Sequence, residues 1–222
     1  MFLGSLLIAE VPKQSVVALI SAFSDIPSSD RHLTPHLLEI AKNGHLLEAD
    51  DKSRLEIIGF NFNSALVSRG GTQRSEASGL DKIYDSGDFR IHYTTNNLKH
   101  KVSDIDLNNN NVPDYIDNVA EIFNYVSKEI HRKQGYLNPP GDGFYPSGND
   151  NGGSNHYDVY VRNISSRYYG YTQPELYAQD NGDNERSKTV IEKNAFTSYM
   201  AIRNNYNNFP MNQEEAIKVT AA

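Results

Sequence analysis

The chain has 222 residues, 38% hydrophobic and 22% charged, with a formal net charge of −7 and no cysteine. That length allows one ordinary domain or a domain with a smaller unit, and 14 Tyr and 9 Phe supply apolar surface for a core despite the polar balance. The absence of cysteine excludes disulfides, thiolate zinc sites and cysteine nucleophiles; the lack of a long basic run argues against nucleic acid as a partner; and no apolar run reaches the roughly 18 residues of a membrane span.

In chain order, "MFLGSLLIAE" (1–10) carries a short apolar stretch with no basic residue before it and no clear cleavage site. Two readings stand for it, a leader lacking its front or a first buried helix. "VPKQSVVALISAF" has helical apolar spacing and ends near Pro27. "LTPHLLEIAKNG" predicts a helix capped by Thr34, with Pro35 at its first position and Gly44 at its end. "EADDKSRLEIIGF" predicts a third helix, capped by Asp50 or Asp51. "SRGGTQRSEASG" (68–79) reads as a linker. Residues 1–80 are thus expected to be a helical region with a linker, either a leader plus pro-segment or an N-terminal helical cap, and 81–222 a separate unit.

The second unit changes character. "DFRIHYTT" (88–95) alternates and predicts a strand. "VPDYIDNVAEIFNYVSKEIHRKQGY" opens at Pro113, repeats apolar groups at Ile116, Val119, Ala120, Phe123, Val126 and Ile130, and stops at Gly135, which predicts a long amphipathic helix. "LNPPGDGFYPSGNDNGGSN" reads as loop, "HYDVYVRNI" (156–164) as strand, "YYGYT" (168–172) as a short strand or hairpin arm, "AQDNGDNERSK" as loop and "FTSYMAIRNN" (196–205) as strand. The last residues, "NQEEAIKVTAA", open a helix with Asn212 as N-cap, Glu214 and Glu215 in the first turn, and Ala216, Val219 and Ala222 at helical spacing. The fold class expected is α+β, a twisted sheet with one long helix preceded by a small helical region.

The segment with most chemistry is "DLNNNNVPDYID", Asp106 to Asp117. Calcium takes oxygen ligands that converge from a tight loop, at positions 1, 3, 5, 7, 9 and 12 of an EF-hand-type loop, the seventh through a backbone carbonyl. Counted from Asp106, these positions hold Asp106, Asn108, Asn110, the Val112 carbonyl, Asp114 and Asp117. Position 6, ordinarily Gly, is Asn111, and Asn tolerates the left-handed turn needed there. A count from Asp104 puts Tyr115 at position 12, with no carboxylate, and is rejected. Pro113 breaks the EF-hand pattern and resembles the loops of thrombospondin type 3 repeats and dockerins, which also run directly into a helix. Three charged ligands predict weak affinity, about 10⁻⁴ to 10⁻³ M. A plain Asn-rich turn capping the next helix is the competing reading.

Other candidates are weaker. His32 and His36 are four apart, but Pro35 intervenes and they read as exposed polar residues rather than ligands. His92 reads as a packed or surface strand residue, and His156 as a residue within reach of loop carboxylates. Asp142, Asn149, Asp150, Asn155 and Asp158 match no countable calcium loop and read as a polar loop, with a second calcium site as the alternative. There is no G-x-S-x-G elbow, phosphate loop or dinucleotide fingerprint.

Taken in order, "FRIHYTT", "DLNNNNVPDYIDNVAEIFNYVSKEIHRKQGY", "NHYDVYV", "YYGYTQPE", "SYMAIRNNY" and "EEAIKVTAA" make residues 81–222 resemble a family of secreted bacterial zinc metallopeptidases with a zincin-like fold. The resemblance implies the N-terminal subdomain of such an enzyme, a sheet whose edge borders the substrate cleft, with "TSYMAIRN" near or at that edge. It also implies that the final helix is the start of the zinc-binding helix, stopping before H-E-x-x-H. That motif supplies two histidines for zinc and a glutamate base, and none of them is in residues 1–222. The expectation is therefore the N-terminal part of a secreted, calcium-stabilised metallopeptidase, extracellular or cell-surface. Zinc and a protein or peptide substrate would belong to the intact parent, and this chain itself would have no catalytic residues. The alternative is a non-enzymatic calcium-binding adhesion or scaffolding module.

Overall fold

The computed structural model describes residues 13–23, 34–57, 75–136, 138–139, 151–178 and 195–222. The fold is α+β. Helices α1 (Lys13–Phe23), α2 (Thr34–Asn43) and α3 (Ala49–Ile57) come first. Then come strands β1 (Lys82–Ser86) and β2 (Phe89–Tyr93), helix α4 (Asp114–Ser127), strands β3 (Tyr157–Arg162), β4 (Gly170–Ala178) and β5 (Ala195–Arg203), and helix α5 (Gln213–Ala221). The leader-like 1–10, His32, most of the 137–155 loop and residues 179–194 lie outside the described residues.

The three helices occur where apolar spacing predicts them. Val16, Leu19, Leu37, Ile40, Leu47 and Leu55 form their own small core, which Tyr168 of the sheet unit joins. α2 also packs against β4. Asp50 and Asp51 sit inside the first turn of α3, where the helix dipole favours them. His36 is not the exposed residue expected, because its Nδ1 meets Ser15 Oγ at 3.0 Å and ties α2 to α1. The described end of the expected linker also packs: Ser75–Ala77 is a 3₁₀ turn, Glu76 is buried, and Ala77 and Leu80 lie against the sheet.

The sheet runs β1-β2-β3-β5-β4, with β2, β3 and β5 parallel and both edge strands antiparallel to their neighbours. Alternation sorts its two faces. On one face Phe89, Ile91 and Tyr93, then Tyr157, Val159 and Val161, then Met200 and Ile202 meet α4. Register places Ile91 beside Val159 and Val159 beside Met200, so the apolar row is continuous across three strands. α4 answers with buried Tyr115, Ile116, Val119, Ala120, Ile122, Phe123 and Val126. Each of the Ile, Val and Phe side chains contributes about 1.5–3 kcal/mol through burial. The helix widens into a π-helical turn over Lys128–Lys133 and stops at Gly135, whose φ is +80°. The opposite face is aromatic and polar, built on Tyr160, Tyr199, Ala201 and Tyr171.

β1 was not among the predicted strands. It pairs with β2 through a turn at Gly87, which has φ +61° and leaves no room for a Cβ against the Asn124 side chain. The Asn124 amide donates to Ser86 Oγ at 3.0 Å and to the Ala120 carbonyl at 2.9 Å, so α4 holds this hairpin. β5, the strand expected near or at the edge, lies one strand in, and β4 is the edge itself. β4 accommodates Pro174 because an edge strand can forgo one donor, and its register shifts between Pro174 and Tyr177.

α5 carries the predicted cap, with Asn212 Oδ1 accepting from Glu215 N–H at 2.9 Å. Its buried face differs from that expected: Ala216 and Ile217 go inward, while Val219 is 54% exposed. Tyr206 determines this orientation. Its hydroxyl donates to the Tyr169 carbonyl at 2.9 Å and meets Thr220 Oγ1 at 3.2 Å. α5 also sits tightly over the start of β4, where a Cβ on Gly170 would collide with Thr220 Cγ2 and stand 2.9 Å from the Ala201 carbonyl oxygen. Gly170→Ala is therefore expected to lower unfolding free energy by about 1–3 kcal/mol, measured by urea denaturation, with Thr220→Ser in the same background recovering part of the loss.

Candidate metal centre

The loop 106–117 joins the end of β2 to α4. Thr94 Oγ1 accepts the N–H groups of Asn96 and Asn97 at 3.1 and 3.2 Å, turning the chain as it leaves the sheet. Val102 N–H then returns to the Thr94 carbonyl at 2.9 Å, and Asp114 N–H to the Ile105 carbonyl at 2.8 Å, closing the base of the loop.

Within it, Asp106 accepts from Asn110 N–H at 3.1 Å and from Asn111 N–H at 2.8 Å, so positions five and six curl around the first predicted ligand. Asn111 has φ +67° and Asn109 φ +57°. The left-handed turn expected at position 6 is thus present on an asparagine. Asn108 Oδ1 and Asn110 Oδ1 accept from Asn110 N–H at 3.0 Å and Val112 N–H at 2.8 Å. Asp114 Oδ1 accepts from Leu107 N–H at 3.0 Å. Asp117 Oδ2, from the first turn of α4, accepts amide N–H groups from both Asn108 and Asn110, at 3.0 and 2.9 Å.

Asp106, Asn108, Asn110, Asp114 and Asp117 are therefore linked through one small loop, with the Val112 backbone among them. The three carboxylates do not meet at one point, since each is turned toward N–H donors of the loop. Among the described residues no group of three or more His, Cys, Asp or Glu side chains is arranged to hold a metal ion. Asparagine and backbone oxygens make up half of the predicted donor set. The donor chemistry fits a hard cation with oxygen ligands. The amide N–H groups on Asp117 supply the partial positive charge that a cation would otherwise supply.

Beside the loop, at the carboxyl ends of parallel strands β2 and β5, lies an open polar pocket of about 360 Å³. It is lined by Thr95, Lys101, Ser103, Asp104, Tyr115 and the asparagines 204, 205 and 207, so it shares the segment entering the loop.

The opposite face of the sheet holds a second polar cluster that the sequence did not reveal. His92 Nε2 and Asp158 Oδ1 are 2.7 Å apart, His92 is 7% exposed and Asp158 1%. The His92 ring stacks on Tyr160 at 4.4 Å. Next to it Arg90 makes two 2.7 Å bonds to Asp85, which raise the arginine's pKa and lower the aspartate's, and Arg90 Nη1 donates to the Gly152 carbonyl at 3.1 Å. Gly152, at φ +64°, presses on the Asp158 carboxylate where no Cβ fits. Asp158 is thus engaged by a histidine, and does not stand ready as a ligand of a second calcium site. Asp142, Asn149 and Asp150 lie outside the described residues. His156 Nδ1 meets Ser154 Oγ at 3.0 Å. Alternation placed Arg90 and His92 on one face, but only the β2–β3 register, His92 beside Tyr160 and Arg90 beside Asp158, brings the pair together.

Comparison with known proteins adds no family: no family profile matches the chain, and no curated sequence or solved structure is significantly similar to it. Among the described residues no helix is long and apolar enough to cross a membrane.

Two outcomes test this geometry. Asn111→Val, a β-branched residue forced to positive φ, is expected to cost on the order of 1–3 kcal/mol in chemical denaturation, whereas Asn111→Gly leaves stability equal or higher. Asp158→Ala, which strips a buried partner from His92, is expected to cost on the order of 3 kcal/mol in the same measurement.

Proposed function

We propose that residues 81–222 are the sheet-bearing part of a secreted, zincin-like metallopeptidase, and that calcium held by Asp106, Asn108, Asn110, the Val112 carbonyl, Asp114 and Asp117 is its structural cofactor. The observation that carries the calcium reading is the curl of the loop, with two consecutive N–H groups on Asp106 and a left-handed Asn111. The ion would neutralise three carboxylates at the N-terminus of α4 and fix the angle at which that helix meets the sheet. Few charged ligands and a solvent-exposed loop suit millimolar calcium, which is an extracellular condition.

The peptidase reading rests on the resemblance of residues 81–222. A mixed sheet with one long helix on a face and an antiparallel edge strand is compatible with it. Zinc and a glutamate base would come from an H-E-x-x-H segment, which these 222 residues do not contain. The part this chain plays is to supply the sheet, its edge and the calcium-set helix, and alone it is expected not to cleave peptides.

Calcium titrated into the protein at neutral pH should give heat with a Kd of about 10⁻⁴ to 10⁻³ M. At about 10 mM calcium that affinity adds roughly 1.4–2.7 kcal/mol, a rise in Tm of about 3–10 °C. Asp106→Asn and Asp117→Asn should each remove most of the rise. No heat and no change in Tm at millimolar calcium would overturn the calcium reading. Reading the encoding DNA past the Ala222 codon tests the peptidase reading separately. An open frame into H-E-x-x-H supports it. A stop codon there overturns it and leaves a non-enzymatic calcium-binding adhesion or scaffolding module.

A further inference from the structure

His100 closes the turn that follows β2. It is 5% exposed and faces the carboxyl end of β3. The backbone N–H of Asn163 donates to its Nδ1 at 3.2 Å, and Arg162 Nη2 stands 3.3 Å from its Nε2. Both ring nitrogens thus face donors. A neutral imidazole accepts from one of them, whereas an imidazolium, protonated at both nitrogens, accepts from neither.

Among the described residues, the turn's other bonds are local: Asn97 N–H donates to Thr94 Oγ1 at 3.2 Å, and Lys99 N–H to Asn97 Oδ1 at 2.9 Å. Its internal bonds run from His100 and Lys101 N–H to the Asn97 carbonyl, and Leu98 at its tip is 88% exposed. On the far side the ring packs near Gly79, where the left-handed backbone and the Asn97 amide leave no room for a side chain. Further along, the Lys101 carbonyl accepts from Asn204 Nδ2 at 2.7 Å and Val102 enters the core. Among the described residues, the side chain of His100 thus clasps the turn to the end of β3.

We propose that His100 is an acid-sensitive latch: uncharged, its ring clasps the 97–100 turn onto the end of β3, and on gaining a proton it lets that turn go. The charged groups acting on the ring are Arg162 of β3 and Lys99 of its own turn, both cations, with no carboxylate among them. Arg162 also acts on Tyr171 of β4, whose hydroxyl donates to Glu76 Oε1 at 3.2 Å, so the acidic group of this neighbourhood is engaged there. Burial first, and then the two cations, bring the His100 pKa down to about 4. An unfolded histidine titrates near 6.5. The latch therefore contributes stability that is complete above about pH 6.5 and is lost as pH falls toward 4.

The test is NMR on the whole chain from about pH 7 down to about pH 4, following the His100 ring and the hydrogen-exchange protection factors of Asn163 and Val159. The ring is expected to titrate near 4. The Asn163 protection factor is expected to fall roughly tenfold or more over that range while Val159, in the core, holds. In His100→Asn, whose side-chain oxygen accepts without titrating, the Asn163 value should stay level. In Arg162→Gln the ring should titrate at higher pH, and the turn should release there. A wild-type ring titrating near 6.5, or an equal loss of protection in His100→Asn, would overturn the proposal. If His100→Asn does not fold, Arg162→Gln decides, and an unmoved titration overturns it.

Discussion

The burial of α4 against the parallel strands β2, β3 and β5 is the interaction on which the rest of the sheet unit depends. Ile116, Val119 and Phe123 reach an apolar row that exists only because three strands are in register, Ile91 beside Val159 beside Met200. α4 also holds the β1–β2 hairpin through Asn124, and it provides the surface on which α5 is laid. At the N-terminus of α4 a loop of four consecutive asparagines framed by aspartates closes on Asp114 and Asp117. A loop with so many acceptors needs donors. In this structure its own N–H groups and two asparagine amides fill that need, and a hard cation would do so more strongly.

The two faces of the sheet solve different problems. The helix face is apolar and continuous. The other face carries polar groups, each with a partner: His92 with Asp158, buried under Gly152, Arg90 with Asp85 at the exposed rim, and Glu76 with the Tyr171 hydroxyl. A buried pair such as His92–Asp158 adds little net stability compared with apolar packing, but losing one partner is costly. They pin irregular segments, 75–80 and 151–154, to regular ones. His100 does the same for the turn after β2, with a ring that serves only while neutral.

How much of this could be read beforehand follows from the range of each interaction. α4 and its cap-to-glycine span were legible because Ile116, Val119, Phe123 and Val126 repeat locally, and the loop was legible because its donors are counted along the chain. The Asn212 cap was legible for the same reason. β1 was missed because Lys82–Ser86 is short and mixed in character, although Ser86–Gly87 beside an alternating run is a hairpin signal. The place of β5 beside the edge strand rather than at it, the inward face of α5 and the His92–Asp158 pair were not legible. Each depends on strand order or register, which a single sequence does not carry. Val219 fits the helical period as well as Ile217 does; Tyr206 and the far-removed Gly170, brought to α5 by the sheet, decide between them.

The central claim is that the loop 106–117 is a cation site that sets α4. Terbium luminescence tests it most directly. The chain has no tryptophan, so tyrosine is the sensitiser. Tyr115 lies between two predicted ligands, and Tyr93, whose phenol burial and the Asp117 charge push upward, faces the same end of α4. Excitation of tyrosine should give terbium emission that calcium displaces and that Asp106→Asn removes. Absence of sensitised emission, or emission that neither calcium nor Asp106→Asn diminishes, would contradict the account.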